Sequence, residues 1–195
     1  MTKLLFSFLM LAASTIAVAE PQFAAGGVVG GKLYVVDPNA PIEITFAPSY
    51  AGHSHFLSLA TSDSFGVPDS WLSIFLPGRA VGTTVTIYTP SGTNTYAAGE
   101  ELVFKLFNLN TGYSYITGDA SSNIDNFAHA SVVYNYVNGK ALVGFEDLYG
   151  GGDKDYNDFQ FLVSNVSVTP VPEPETYAML VAGLGMLLLA RRRRI

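Results

Sequence analysis

Ser131-Val132-Val133-Tyr134-Asn135-Tyr136-Val137-Asn138-Gly139-Lys140-Ala141-Leu142-Val143-Gly144-Phe145 is the stretch that decides the fold. Two runs rich in valine and aromatic residues flank Asn138-Gly139. That dipeptide supplies the two positive-φ positions of a type I′ turn, so 131–137 and 140–145 are predicted to pair as a β-hairpin. Outward from it, similar short runs recur at Leu33 to Val36, Ile42 to Phe46, Phe56 to Ala60, Trp71 to Leu76, Thr83 to Thr89, Leu102 to Leu109 and Phe159 to Val168. Several alternate with period two; Val81, Thr83, Val85 and Ile87 fall on one face. Turn signals such as Pro38-Asn39, Pro77-Gly78 and Asn110-Thr111-Gly112 separate the runs. No amphipathic helical pattern of useful length lies between them. The expectation is a single all-β domain over residues 33–168, a β-sandwich or jelly-roll-like arrangement of about nine strands.

The two ends read differently. Residues 1–19 have a positive n-region at Lys3, an apolar run from Leu4 to Ala13 and the small-residue site Ala17-Val18-Ala19, the pattern of a secretory signal peptide cut between Ala19 and Glu20. Residues 20–32 are Gly- and Ala-rich and expected to be loose. Residues 169–176 are a Pro/Glu linker, in which closely spaced prolines block both helix and central strand. Residues 177–195 are an apolar run closed by Arg191, Arg192, Arg193 and Arg194, expected to form a transmembrane helix with a basic stop on its cytoplasmic side. The run is shorter than the usual ~20 apolar residues, so it serves as a marginal span or a transient anchor.

Between Glu20 and Pro170, five lysines and arginines face fourteen aspartates and glutamates. Such a body repels phosphate, which argues against a nucleic-acid partner, and suits cation binding. The chain has no cysteine, so an exported domain here does without disulfides. The acids concentrate after the hairpin, between Gly144 and Asp158, where Glu146, Asp147, Asp153, Asp155 and Asp158 surround Gly150-Gly151-Gly152 and Asn157. Calcium takes six to eight oxygens, and Asp153, Asp155 and Asn157 at alternating positions resemble the start of an EF-hand loop. Asp158 stands where that loop needs glycine and Ser164 where it needs glutamate, so this is no EF-hand. The expected calcium ligands are Glu146, Asp147, Asp153, Asp155, Asn157 and Asp158, the alternative being a solvated turn whose aspartates cap the backbone.

Other constellations carry less. His53 and His55 share a strand face and with His129 would offer three nitrogens for zinc; as polar or core histidines they need no metal. Ser54 sits between two histidines without a nucleophile-elbow pattern. Tyr50, Tyr113, Tyr115 and other tyrosines offer surfaces for sugars or for the core.

Two resemblances follow from the quoted motifs. Pro172-Glu173-Pro174, the apolar run and the arginine cluster, in that order, resemble the PEP-CTERM sorting signal of Gram-negative bacteria. The resemblance implies export, anchoring in the inner membrane, and processing by an exosortase. Phe145-Glu146-Asp147 followed by Gly151-Gly152-Asp153-Lys154-Asp155-Tyr156-Asn157-Asp158 resembles the hallmark of a bacterial secreted domain of unknown function. Asn123, Asp125, His129 and Ala130 extend that likeness upstream, with a reach expected back to Ala51-Gly52, while His53 and His55 have no counterpart in the pattern. It implies a secreted, surface-associated, calcium-dependent protein. The functional expectation is a non-enzymatic structural or adhesive protein of the cell surface, biofilm or exopolysaccharide matrix. The alternatives are a carbohydrate-binding module of that matrix and a surface hydrolase.

Overall fold

The structure, a computed structural model, describes residues 27–62, 68–87 and 96–168. The signal peptide, most of the loose segment, the Pro/Glu linker and the arginine-ended tail lie outside the described residues. Among the described residues no helix is long and apolar enough to cross a membrane.

The strands are β1 (Val28–Val29), β2 (Leu33–Val35), β3 (Ile42–Phe46), β4 (His55–Ser62), β5 (Pro68–Phe75), β6 (Thr84–Ile87), β7 (Glu101–Leu102), β8 (Phe104–Asn108), β9 (Ser114–Ile116), β10 (Ala130–Val137), β11 (Lys140–Phe145), β12 (Phe159–Val163) and β13 (Val166–Ser167). They form a six-stranded sheet in the order β1-β10-β11-β12-β3-β6, a four-stranded sheet β5-β4-β8-β9 and a three-stranded sheet β13-β2-β7. Their pairings are antiparallel. The all-β class is as the alternation predicts.

At the hairpin, Asn138 and Gly139 take φ values of 50° and 75°, the left-handed pair that a type I′ turn requires, and Val137 pairs with Lys140. The run expected as one strand from Phe159 to Val168 is broken at Asn165, which has φ 58°. There the chain leaves the six-stranded sheet and enters the three-stranded one. The Asn165 side chain holds this step by accepting from Asp37 N–H at 2.9 Å and donating to the Ala40 carbonyl at 3.0 Å. Val28 and Val29, in the segment expected to be loose, pair with Val132 and Ser131.

One core lies between the sheets. Ala141, Val143 and Phe145 of β11, Phe161 and Val163 of β12, and Ile42 and Ile44 of β3 meet Leu57, Leu59, Phe104, Leu106 and Tyr115 of the four-stranded sheet. The rings of Phe104 and Phe161 come within 4.9 Å. Each buried valine, leucine, isoleucine or phenylalanine among them contributes roughly 1.5–3 kcal/mol, and without cysteines this core carries the stability. β11 is buried on its other face too. There Leu142 packs with Ala47 and Tyr156, joined by Phe127, Val133 and Leu162. Tyr156 belongs to the acidic loop, so that loop folds back over the outside of the six-stranded sheet. The Tyr156 hydroxyl fastens it by donating to the Ala128 carbonyl at 3.0 Å.

Candidate metal centre

Beyond Phe145 the strand ends in a corner where two adjacent carboxylates are buried, Glu146 at 0% and Asp147 at 2% exposure. Their side chains go to different partners. Glu146 Oε1 accepts from the Tyr156 N–H at 2.5 Å, while Oε2 is buried without a hydrogen-bond partner among the described residues. Carboxylate oxygens of Glu146, Asp153 and Asp155 lie within 4.8 Å of one another. Burial pushes the Glu146 carboxyl up to about 7; the Tyr156 N–H opposes this, and the charges of Asp158, Asp153 and Asp155 add to it.

The glycines make this approach possible. A Cβ on Gly151 would fall 2.1 Å from the Phe127 ring, and one on Gly152 would fall 2.9 Å from Glu146 Oε2. Both residues also have positive φ, 82° and 46°, which glycine adopts without penalty.

Asp147 turns instead to the start of β4. Its Oδ2 lies 2.9 Å from His53 Nδ1 and 2.7 Å from His55 Nε2. Burial alone would raise the Asp147 carboxyl, but hydrogen bonding to the His55 and His53 rings outweighs it and holds the group below its ordinary range. The Asp147 N–H donates to Asp158 Oδ2 at 3.0 Å, and its carbonyl accepts from Asn108 Nδ2 at 3.0 Å. Burial pushes Asp158 upward against that N–H.

His129 forms a post behind the corner. Its Nδ1 lies 3.0 Å from the Glu146 carbonyl and its Nε2 2.8 Å from Asp125 Oδ2. The ring is thus held at both nitrogens, by a carbonyl on one side and a carboxylate on the other. Tyr115 stacks on the ring at 3.6 Å. Asp125 Oδ2 also accepts from the Gly150 N–H at 2.7 Å, which pins the glycine run. Burial raises the Asp125 carboxyl, but the Gly150 and His129 hydrogen bonds outweigh it and the group sits low.

The structure thus divides the six expected ligands. Glu146, Asp153 and Asp155 come together. Asp147 joins the histidines, Asp158 caps the Asp147 amide, and the Asn157 amide side chain donates to Asp155. His129 does not join His53 and His55; Asp125 holds it elsewhere. Asn108 and the Asp125 clamp are additions to the sequence reading. Asn108 carried a signal: it sits on the inward face of β8 in register with Phe104 and Leu106, and all three are buried.

Comparison with known families bears on this corner. Residues 77–165 match the domain of unknown function DUF4114. The DUF4114 match takes in Asn108, Asp125, His129 and the whole run from Glu146 to Asp158, and covers a little under half of the chain. It starts well after Ala51-Gly52, where the likeness was expected to begin, and leaves His53 and His55 outside. Residues 170–194 match the PEP-CTERM protein-sorting motif, spanning Pro172-Glu173-Pro174 and the four arginines. That motif marks an exported protein processed at the membrane by an exosortase. No curated protein matches the chain.

Proposed function

We propose that this PEP-CTERM protein is a structural or adhesive component of the cell surface or exopolysaccharide matrix of a Gram-negative bacterium, with a calcium ion held by Glu146, Asp153 and Asp155. Its exported domain is of the sandwich type, and the apolar tail holds it in the inner membrane until sorting. The observation that carries the calcium reading is Glu146 Oε2, a buried carboxylate oxygen without a donor among the described residues. Leaving such a group unsatisfied is costly. Two further carboxylates stand within 4.8 Å, an all-oxygen set of the kind a hard cation such as calcium takes. The cation would satisfy Oε2 and relieve the mutual repulsion of the three acids. In a domain without disulfides it would staple the loop to the sheet.

The test is thermal unfolding of the full chain with calcium and with chelator. Calcium is expected to raise the melting temperature, and Asp155→Ala to abolish the rise. Equal melts in both conditions would sink the proposal. The role is not enzymatic on this reading: the rings of His53 and His55, on either side of Ser54, both turn to Asp147.

A second reading rests on Tyr113 and Tyr149, exposed by 42% and 60%, whose ring centroids lie 5.7 Å apart. Such a pair offers sugar rings a platform, as in a carbohydrate-binding module of the matrix. Binding on a glycan array that disappears in Tyr149→Ala would favour it.

A further inference from the structure

We infer that His53, His55 and Asp147 form a second, chemically different metal site, one for a divalent transition ion of the zinc type. One ligand atom from each of the three lies within 4.8 Å of the others. Two of these atoms are imidazole nitrogens, which suit zinc, copper or nickel, whereas calcium seeks oxygen throughout. The Asp147 and His55 side chains are almost wholly buried, at 3% and 4% exposure, and His53 is exposed by 30%. The set is therefore anchored at the back and open at the front.

The elements around it aim the ligands. His55 opens β4 and sits opposite Asn108 of β8. The His55 ring packs edge-on against Phe159 at 5.6 Å. Asp147 is gripped through its own backbone, its N–H on Asp158 and its carbonyl on Asn108. Partners of this kind orient ligands in metal sites.

The hydrogen bonding at His53 leaves one contact mismatched in either protonation state of the ring. The Asn108 amide has a determined orientation, since Oδ1 accepts from the Asn110 N–H at 2.9 Å and the Thr111 N–H at 3.2 Å, while Nδ2 donates to the Asp147 carbonyl at 3.0 Å. The same Nδ2 stands 3.0 Å from His53 Nδ1, and Asp147 Oδ2 stands 2.9 Å from that nitrogen. Nδ1 has one in-plane position. Protonated, it meets the amide donor to donor; unprotonated, it meets the carboxylate lone pair to lone pair. A cation shared by Nδ1, His55 Nε2 and Oδ2 accepts lone pairs from all three and removes the repulsion between nitrogen and carboxylate, at the cost of the amide's contact with Nδ1.

Three protein ligands leave a zinc ion an open position. His53 and His55 also line a cavity of about 190 Å³, together with Phe46, Ser49, Arg79 and Asp158. That cavity has room for water or a small anion as the remaining ligand.

The experiment titrates zinc into the full chain, free of any histidine tag and saturated with calcium so that the acidic loop does not compete. One equivalent is expected for the wild type. His53→Ala is expected to lose that equivalent, and its position at the surface makes it the variant that keeps the fold. Asp147→Asn, of equal size, is expected to lose it as well. Cobalt loaded in place of zinc reports the same site through its visible absorption. Absence of zinc binding by the wild type, or an equivalent retained in His53→Ala, overturns the inference. Loss of zinc binding in His53→Ala with an unchanged calcium-dependent melt upholds it as a site distinct from the acidic loop.

Discussion

β11 is connected to its two neighbours by very different means. At one end Asn138 and Gly139 alone join it to β10, and Gly139 has open space around the position of a Cβ. At the other end, residues 146–158 lie between it and β12, although that pair is antiparallel too and could be closed by two residues. The short turn closes directly on the Val137–Lys140 pair. The long one buries two carboxylates, leaves a carboxylate oxygen without a donor among the described residues, and leans on His129 and Asp125 for support. Topology explains the first connection and does not require the length of the second, which also covers Leu142 with Tyr156.

If that contrast is right, changes at the loop end are expensive and tied to calcium, and changes at the hairpin end are cheap and indifferent to it. The largest effect is expected from Asp125→Ala. It leaves the buried His129 without its carboxylate and frees Gly150, and should cost about 3–5 kcal/mol in urea unfolding while shrinking the calcium response. A cost below about 1 kcal/mol would place this loop in the same class as the hairpin.

Next comes the pH dependence of the calcium-free chain. The folded Glu146 titrates at about 7 against an ordinary 4.5, so between those values the folded state holds a proton that the unfolded state has released. Stability from this group is complete below about pH 4.5 and is lost as pH rises through 7. The loss is on the order of 3 kcal/mol. Glu146→Gln should flatten that slope, and calcium should offset it in the wild type. A wild-type melt that is level from pH 5 to 8 without calcium would contradict it.

Gly151→Ala and Gly139→Ala then form a matched pair, with φ values of 82° and 75°. The left-handed backbone penalises both, but only Gly151 has an aromatic ring where the new methyl would go. Gly151→Ala should cost about 3 kcal/mol and blunt the calcium shift. Gly139→Ala should cost about 1 kcal/mol and leave that shift intact. Equal costs would mean that the loop does not pack on Phe127 as described.

Local chemistry was legible in the sequence and long-range placement was not. Lys140–Phe145 and Ile42–Phe46 are strands over the residues that their composition marks, and Asn138-Gly139 names its own turn. Asn165 was missed because a single left-handed asparagine inside an apolar run leaves the alternation nearly undisturbed. Ser114–Ile116 was missed because three residues are too few to show a period. In the loop, Asp153 and Asp155, two positions apart in the sequence, lie together beside Glu146. The spacing gave no hint that Asp147 would leave that cluster, because its partners His53 and His55 are more than ninety positions away along the chain. Grouping His129 with the other histidines failed for the opposite reason: its partner is local, since Asp125, four residues before it, holds the ring.

Glu146 and Asp147 share a single peptide unit, and this ties the two sides of the corner together. An occupant that draws the Glu146 carboxylate toward Asp153 and Asp155 also settles the backbone from which Asp147 reaches the histidines. Linkage then runs in both directions: whatever factor an ion on one side adds to the affinity of the other is returned unchanged. Two ions of different chemistry would report on each other, each changing the affinity of the other by the same factor.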